Sequence, residues 1–276
     1  MNIIRFTIIV LFSLSVIVGC ATYDVRYELT STEKGNVTQE RVMELYGEAN
    51  ESYENGELSE ALEKAEEAVE TDSEFYIGYY LTGLIRFESG DYHMAIEDFD
   101  DYFSKRNPSW DDILNRPEKR MKYENAMAFS MRGQSYLELG DHESAIGDLT
   151  RSNDVLDDLK RTKDERANNH YLRGLVKQHQ EDIEGAEKDY LESIDLDDYL
   201  WPPLENLSLM YSESRYKDSC FDVLFRMERI NRDATYDWIM REEFDWLRNE
   251  RRFKILIYEC TRSYYFTLYP IFIFDF

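Results

Sequence analysis

From Glu40 onward, apolar residues recur at spacings of three and four, and short polar turns divide the segments they mark: Asn55-Gly56-Glu57, Ser89-Gly90-Asp91 and Leu139-Gly140-Asp141. The pattern predicts amphipathic helices joined by tight turns, with no strand before the last residues. Aligning the turns puts Ala61, Ala95, Ala145, Ala186 and Cys220 in equivalent places early in the helix after each turn. A 34-residue period follows, with units at 42–75, 76–109, 126–159, 167–200 and 201–234 and insertions at 110–125 and 160–166.

Each unit reads as helix, turn, helix. Small residues stand where two antiparallel helices would cross: Ala49, Gly83, Gly133, Gly174 and Ser208 in the first helices, and the alanine/cysteine set in the second. Large residues, among them Leu45, Tyr79, Phe129, Leu204, Phe99, Leu149, Tyr190 and Leu224, are expected to fill the space between layers. Gly147 has no role in this pattern.

The period and its residue types resemble the tetratricopeptide repeat over residues 42 to 234. The third unit matches best, at Phe129, Gly133, Tyr136, Gly140, Ala145 and Leu149. The resemblance implies an all-α fold, an α-α superhelix (a solenoid) of about five helix-turn-helix repeats. Three units depart from it: Ser52, Arg86 and Lys177 stand where Tyr136 and Tyr211 supply a large aromatic, and Glu181-Asp182 replaces a glycine turn. Looser or re-registered joints are expected there. Residues 235–260 read as a C-terminal capping helix pair; its EEFDWLRNERRFKIL segment is similar to closing segments of such repeat proteins, with Trp238, Phe244 and Leu247 covering the last repeat.

The chain ends differ in kind. Residues 1–19 carry Arg5 and an apolar run from Phe6 to Val18, the layout of a secretory signal and too short for the roughly 20 apolar residues of a membrane span. Ile17-Val18-Gly19-Cys20 resembles the lipobox of bacterial lipoproteins, which implies acylation of the Cys20 thiol. Residues 20–41 read as a flexible tether. The aromatic tail, 261–276, leaves the helical pattern and reads as a loosely docked or disordered segment without an assigned role.

Composition narrows the function. The 276 residues include 57 acidic and 32 basic side chains, a formal charge of −25, which disfavours nucleic acid and anionic lipid headgroups as partners. The four histidines, His93, His142, His170 and His179, have no metal-ligand spacing along the chain and read as solvated or capping. No GxSxG, GxxxxGK or GxGxxG motif is present, so the chain is expected to be neither an enzyme nor a cofactor- or metal-binding protein. Cys220 reads as a packing residue, with a Cys220–Cys260 disulfide as the other reading.

Stacked helix pairs present their first helices on a concave wall. Repeat offsets put Met43, Tyr46, Asn50, Tyr53, Ile77, Tyr80, Leu84, Phe87, Met127, Ser130, Gln134, Leu137, Asn168, Tyr171, Leu175, Gln178, Glu205 and Leu209 on it. Tyr46, Asn50, Tyr53, Tyr80, Phe87, Gln134, Asn168, Tyr171 and Gln178 are the candidate groove residues, suited to an extended peptide or a helix. No lysine or arginine lines this wall, and Glu54, Glu88, Glu138 and Glu213 lie near it, so an apolar or basic partner segment is expected.

Together these readings describe a scaffold for protein–protein contacts in a bacterial cell envelope, held to a membrane, with the outer membrane favoured, through lipid on Cys20. An envelope enzyme or transport subunit with an acidic cleft, and self-association of the repeats, are the alternatives. Palmitate labelling in a bacterial host should mark the wild-type chain and not Cys20→Ser; equal labelling of both would contradict the anchor.

Overall fold

The computed structural model describes residues 37–159 and 162–268, with side chains described from residue 39 to residue 262. The described chain is helical throughout, and the helices pair in sequence order. They are α1 (Val37–Glu54) and α2 (Leu58–Thr71), α3 (Tyr76–Glu88) and α4 (Tyr92–Ser104), then the short α5 (Pro108–Ile113). Next come α6 (Glu118–Glu138) and α7 (His142–Asp157), α8 (Lys163–His179) and α9 (Ile183–Leu196), and α10 (Trp201–Glu213) and α11 (Lys217–Ile230). A cap of α12 (Arg232–Ile239), a 3-10 helix (Glu242–Leu247) and α13 (Arg251–Leu268) follows. This is the all-α superhelix that the resemblance implies.

The close crossings fall on the expected glycines, but each glycine faces a large side chain. A Cβ on Gly174 would lie 2.5 Å from the Tyr190 ring, one on Gly83 2.8 Å from Phe99, and one on Gly133 3.0 Å from Leu149. Phe99, Leu149 and Tyr190 therefore fill the gap inside their own repeat rather than only the layer between repeats. All three are fully buried, each worth roughly 1.5–3 kcal/mol relative to exposure. The first repeat solves the same problem with Ala49, Ala61, Ala65 and Ala68.

The departing repeats keep their register. In all five helix–helix turns the same six-residue bond closes the first helix: Glu57 to Ser52, Asp91 to Arg86, Asp141 to Tyr136, Asp182 to Lys177 and Tyr216 to Tyr211, each N–H to C=O at 2.9 Å. Gly56, Gly90 and Gly140 take the left-handed conformation this requires, and Glu181 (φ 63°) and Arg215 (φ 59°) adopt it without being glycine. The expected looser joint at Glu181-Asp182 is thus corrected: the turn is conserved in geometry at the cost of backbone strain, and Asp182 caps α9 through Gly185 N–H at 3.0 Å.

Arg86 and Lys177, which displace the expected aromatic, serve buried carboxylates. Three residues after the alanines of α4, α7 and α9 stand Asp98, Asp148 and Asp189. Arg86 holds both oxygens of Asp98 at 2.7 Å, and Arg132 holds Asp148 at 2.6 and 3.0 Å. Lys177, Arg173 and His170 surround Asp189 at 2.6, 3.0 and 3.1 Å. Arg86 also reaches Glu66 of the preceding repeat at 2.6 Å, and Arg132 reaches Asp100, so these pairs tie repeats together as well as helices. His170 is therefore a hydrogen-bond partner of Asp189 rather than a solvated or capping residue.

Element boundaries correct the expectation in three places. Helix α1 begins at Val37, inside the segment read as tether. The insertion at 110–125 is structured: α5 buries Trp110 against Phe75, ring centroids 4.6 Å apart, and the rest extends α6 to 21 residues. Helix α13 runs to Leu268, so the tail is helical in its first part; residues 269–276, like 1–36, lie outside the described residues. Among the described residues no helix is long and apolar enough to cross a membrane.

Glycine effects separate cleanly in this frame. Gly147→Ala places a Cβ where nothing lies within 4 Å and should raise stability by about 0.5–1 kcal/mol, and Glu181→Gly should gain about 1 kcal/mol by relieving strain. Gly174→Ala, driven into Tyr190, should lose about 1–3 kcal/mol. Denaturant unfolding of the three variants checks the signs.

Candidate partner-binding site

The first helices α1, α3, α6, α8 and α10 supply the concave wall, and the nine candidate groove residues are all half-buried there. Most are held in place. The Tyr46 ring sits edge-on to Phe75 at 5.3 Å, Tyr80 packs on Phe99 and Tyr102 at 6.4 and 5.3 Å, Phe87 on Tyr92 at 5.9 Å, and Tyr171 on Tyr190 at 6.1 Å. Asn50 donates to the Tyr46 carbonyl at 2.8 Å, Gln178 accepts from the Tyr190 hydroxyl at 2.6 Å, and Gln134 donates to Ser130 at 3.3 Å. Tyr53 donates to Glu88, linking α1 to α3. Such a wall is pre-organised, so a bound segment would order few side chains.

Both ends of the predicted wall are narrower than the repeat offsets suggest. At the N-terminal end Ile77 is buried in one cluster with Trp110 and Leu114, and Met43 and Tyr46 pack against it, so α5 converts part of the wall into core. Arg116, in the link from α5 to α6 and nearly inaccessible, donates to the Tyr76 hydroxyl at 2.8 Å and pairs with Asp111 and Glu124. At the C-terminal end Trp246 Nε1 donates to Ser212 Oγ at 2.8 Å and Trp238 Nε1 to Ser208 Oγ at 2.9 Å, while Phe244 and Leu247 are fully buried. The cap covers the last repeat with the residues expected of it.

Ser130 is also not on the open wall. It donates to Asn169 Oδ1 at 2.6 Å, and Asn169 donates to Ser152 Oγ at 2.8 Å and Asn153 Oδ1 at 3.0 Å, a buried polar network between the third and fourth repeats. Between the two ends of the wall Leu84 and Phe87, Gln134 and Leu137, and Asn168, Tyr171, Leu175 and Gln178 stay half-exposed on successive first helices, as does Glu205, and they are the candidate trough. Asn168 lies within it, and no side-chain partner fixes it among the described residues.

Along one edge, Glu54, Glu88, Glu138 and Glu213 are the final residues of α1, α3, α6 and α10, and all are exposed. Negative charge at a helix C-terminus is unfavourable by about 0.3–1 kcal/mol, so this row is costly where it stands. The equivalent residue of α8 is His179, whose ring meets that of His142 at 5.6 Å across the joint. Sequence spacing gave no hint of that pair, because 37 residues of folded repeat separate its members. No three His, Cys, Asp or Glu side chains converge on a metal position among the described residues.

The carboxylates that burial pushes up, Asp98 and Glu205, sit in different repeats and do not form an acid–base pair. Cys220 and Cys260 are free and buried, and burial raises their thiols to about 12 and about 11. The disulfide reading is thus corrected. A shallow cavity of about 400 Å³ lined by residues 228–233 lies at the α11–α12 elbow, away from the trough.

Comparison with known proteins agrees with this geometry. The tetratricopeptide repeat family model matches residues 46–109. That segment, within α1 to α5, carries the tetratricopeptide repeat signature, and the same helix pairing continues through α11. Similar solved structures include PilF of Pseudomonas aeruginosa, with 13% identity, 85% of this chain and 95% of that one covered and a TM-score of 0.57. YrrB, described as a tetratricopeptide repeat protein with an unusual peptide-binding site, gives 17%, 72%, 94% and 0.53. MamA of Desulfovibrio magneticus RS-1 gives 19%, 69%, 93% and 0.52. No curated protein sequence matches the chain.

Asp189 gives a direct test of the ion pairs that hold this wall. Burial raises its pKa, but the hydrogen bonds from His170 and Lys177 and the charge of Arg173 outweigh that and hold it below the usual value of 3.8. Its stabilisation is therefore present above the unfolded pKa of about 3.9 and lost as pH falls through the lower folded value. Asp189→Asn should cost about 3–5 kcal/mol at pH 7 and should flatten acid unfolding below pH 4, as measured by urea titration at a series of pH values.

Proposed function

We propose that the protein is a lipid-anchored interaction scaffold of a bacterial cell envelope that holds an extended segment of a partner protein in its concave trough. The observation that supports this best is the pre-organised middle of the wall, where aromatic and amide side chains are fixed by core rings and hydrogen bonds yet stay half exposed. The likeness to YrrB, a repeat protein with a peptide-binding site, is in keeping with it. The acidic row at the helix ends and the net charge of −25 favour a partner segment that combines apolar with basic residues. The anchor rests on the Cys20 lipobox alone, and outer-membrane placement on the absence of Asp after Cys20, where Ala21 stands.

Selection of displayed random decapeptides on the purified chain tests the trough. Enriched peptides should carry apolar and basic residues, and Leu84→Asp or Leu175→Asp should weaken them by an order of magnitude or more. Glu88→Gln with Glu138→Gln should weaken binding less and reduce its salt dependence. Selected peptides that bind all these variants equally, at every salt concentration, would remove the proposal.

A further inference from the structure

The fully buried carboxylates of the repeats and cap are all neutralised. Asp98 has Arg86, Asp148 has Arg132, Asp189 has Lys177, Arg173 and His170, Glu124 has Arg116 and Arg120, and Glu228 has Arg232. Among the half-buried carboxylates of the described residues, Glu165 and Glu187 accept from Tyr123 and Tyr211 without an ion pair, and Glu205 likewise lacks a paired cation. It is half-buried on the concave side of α10, its Oε1 accepts from Trp201 Nε1 at 2.6 Å, and it makes no ion pair among the described residues. Burial pushes its pKa up, and the Trp201 hydrogen bond and the charge of Arg241 draw it back.

The surroundings of Glu205 are aromatic. Trp201 stands one turn before it, and Tyr171 faces it from α8; burial and then the Glu205 charge raise that phenol to about 12. Trp238 lies one turn further on, bonded to Ser208, whose hydroxyl donates to the Glu205 carbonyl at 2.8 Å. The facing cation, Arg241, is already engaged: its guanidinium lies 4.3 Å from the Trp238 ring centroid and pairs with Glu243 at 2.6 Å. A half-buried carboxylate bordered by aromatic side chains attracts a cation through its charge.

We infer that Glu205, with Trp201, Tyr171 and Trp238, forms a subsite at the end of the trough that receives a lysine or arginine side chain of the bound segment. The inference rests on the trough being a peptide groove and adds the chemistry of one position in it. Partner charge would supply what the fully buried carboxylates draw from this chain. Arg241 competes from the side, so it tunes the subsite rather than filling it.

The test uses n-butylammonium and n-butylguanidinium as side-chain mimics and n-pentanol as the neutral control. Each is titrated into the full chain while the four tryptophan indole N–H resonances are followed. The Trp201 and Trp238 signals should shift saturably with one or both cations and not with pentanol, and Trp110 should stay still. Glu205→Gln, which keeps an acceptor for Trp201, should weaken the shift about tenfold or more, and Arg241→Gln should strengthen it several-fold. Equal shifts with pentanol, or an unchanged response in Glu205→Gln, overturn the subsite. A trough-binding peptide whose Lys→Gln form binds as well also overturns it and leaves the groove intact. Cation shifts without any peptide binding would instead keep the subsite and remove the groove.

Discussion

Close approach of paired helices is the constraint on which this molecule depends. It is set by Gly83 under Phe99, Gly133 under Leu149 and Gly174 under Tyr190, where a single added carbon would overlap a side chain. That approach brings the second-helix carboxylates Asp98, Asp148 and Asp189 within reach of first-helix cations. Desolvated charges are tolerable only with such partners. Because Arg86 and Arg132 extend to Glu66 and Asp100, the packing inside one repeat also orients the next. The concave wall is a consequence: with the crossings fixed, one face of each first helix is left to line the trough.

Much of this was legible in the chain. The glycines and alanines at fixed offsets give the period, and the period gives the helices, the turns and the wall. What pattern could not show is how a non-matching residue is accommodated. Arg86 and Lys177 look like faults against an aromatic consensus, yet each answers a carboxylate on the other helix of its repeat. Glu181 looks like a broken turn, but the six-residue bond from Asp182 to Lys177 holds the same geometry as the glycine turns. A single-position comparison misses such pairs; comparing position with position across the turn would find them.

The candidate site was legible more coarsely. Repeat offsets place Tyr46, Tyr80 and Tyr171 on the wall, but they give no account of α5, whose Trp110 turns the N-terminal end into core. The cap was foreseen with Trp238, but not the parts of Arg241 and Trp246 at the other end. Ser130 was displaced by a network that needs Asn169, one residue beyond Asn168 on the same helix. In each case the wall is altered by a contact between distant segments, which local periodicity does not encode. Glu205 was visible as a wall residue, and Trp201 four residues before it was the signal of its setting.

The central claim is that the concave side, and not the convex one, meets another polypeptide. Photo-crosslinking from benzoylphenylalanine placed at Leu137 or Leu175 on the trough, and at Glu97 or Glu192 on exposed second-helix positions, tests it most directly in the producing cell. The account predicts discrete adducts with a different polypeptide from the trough positions only, lost when Phe87 is changed to Asp. Adducts from the second helices alone, or only with further copies of this chain, would contradict it.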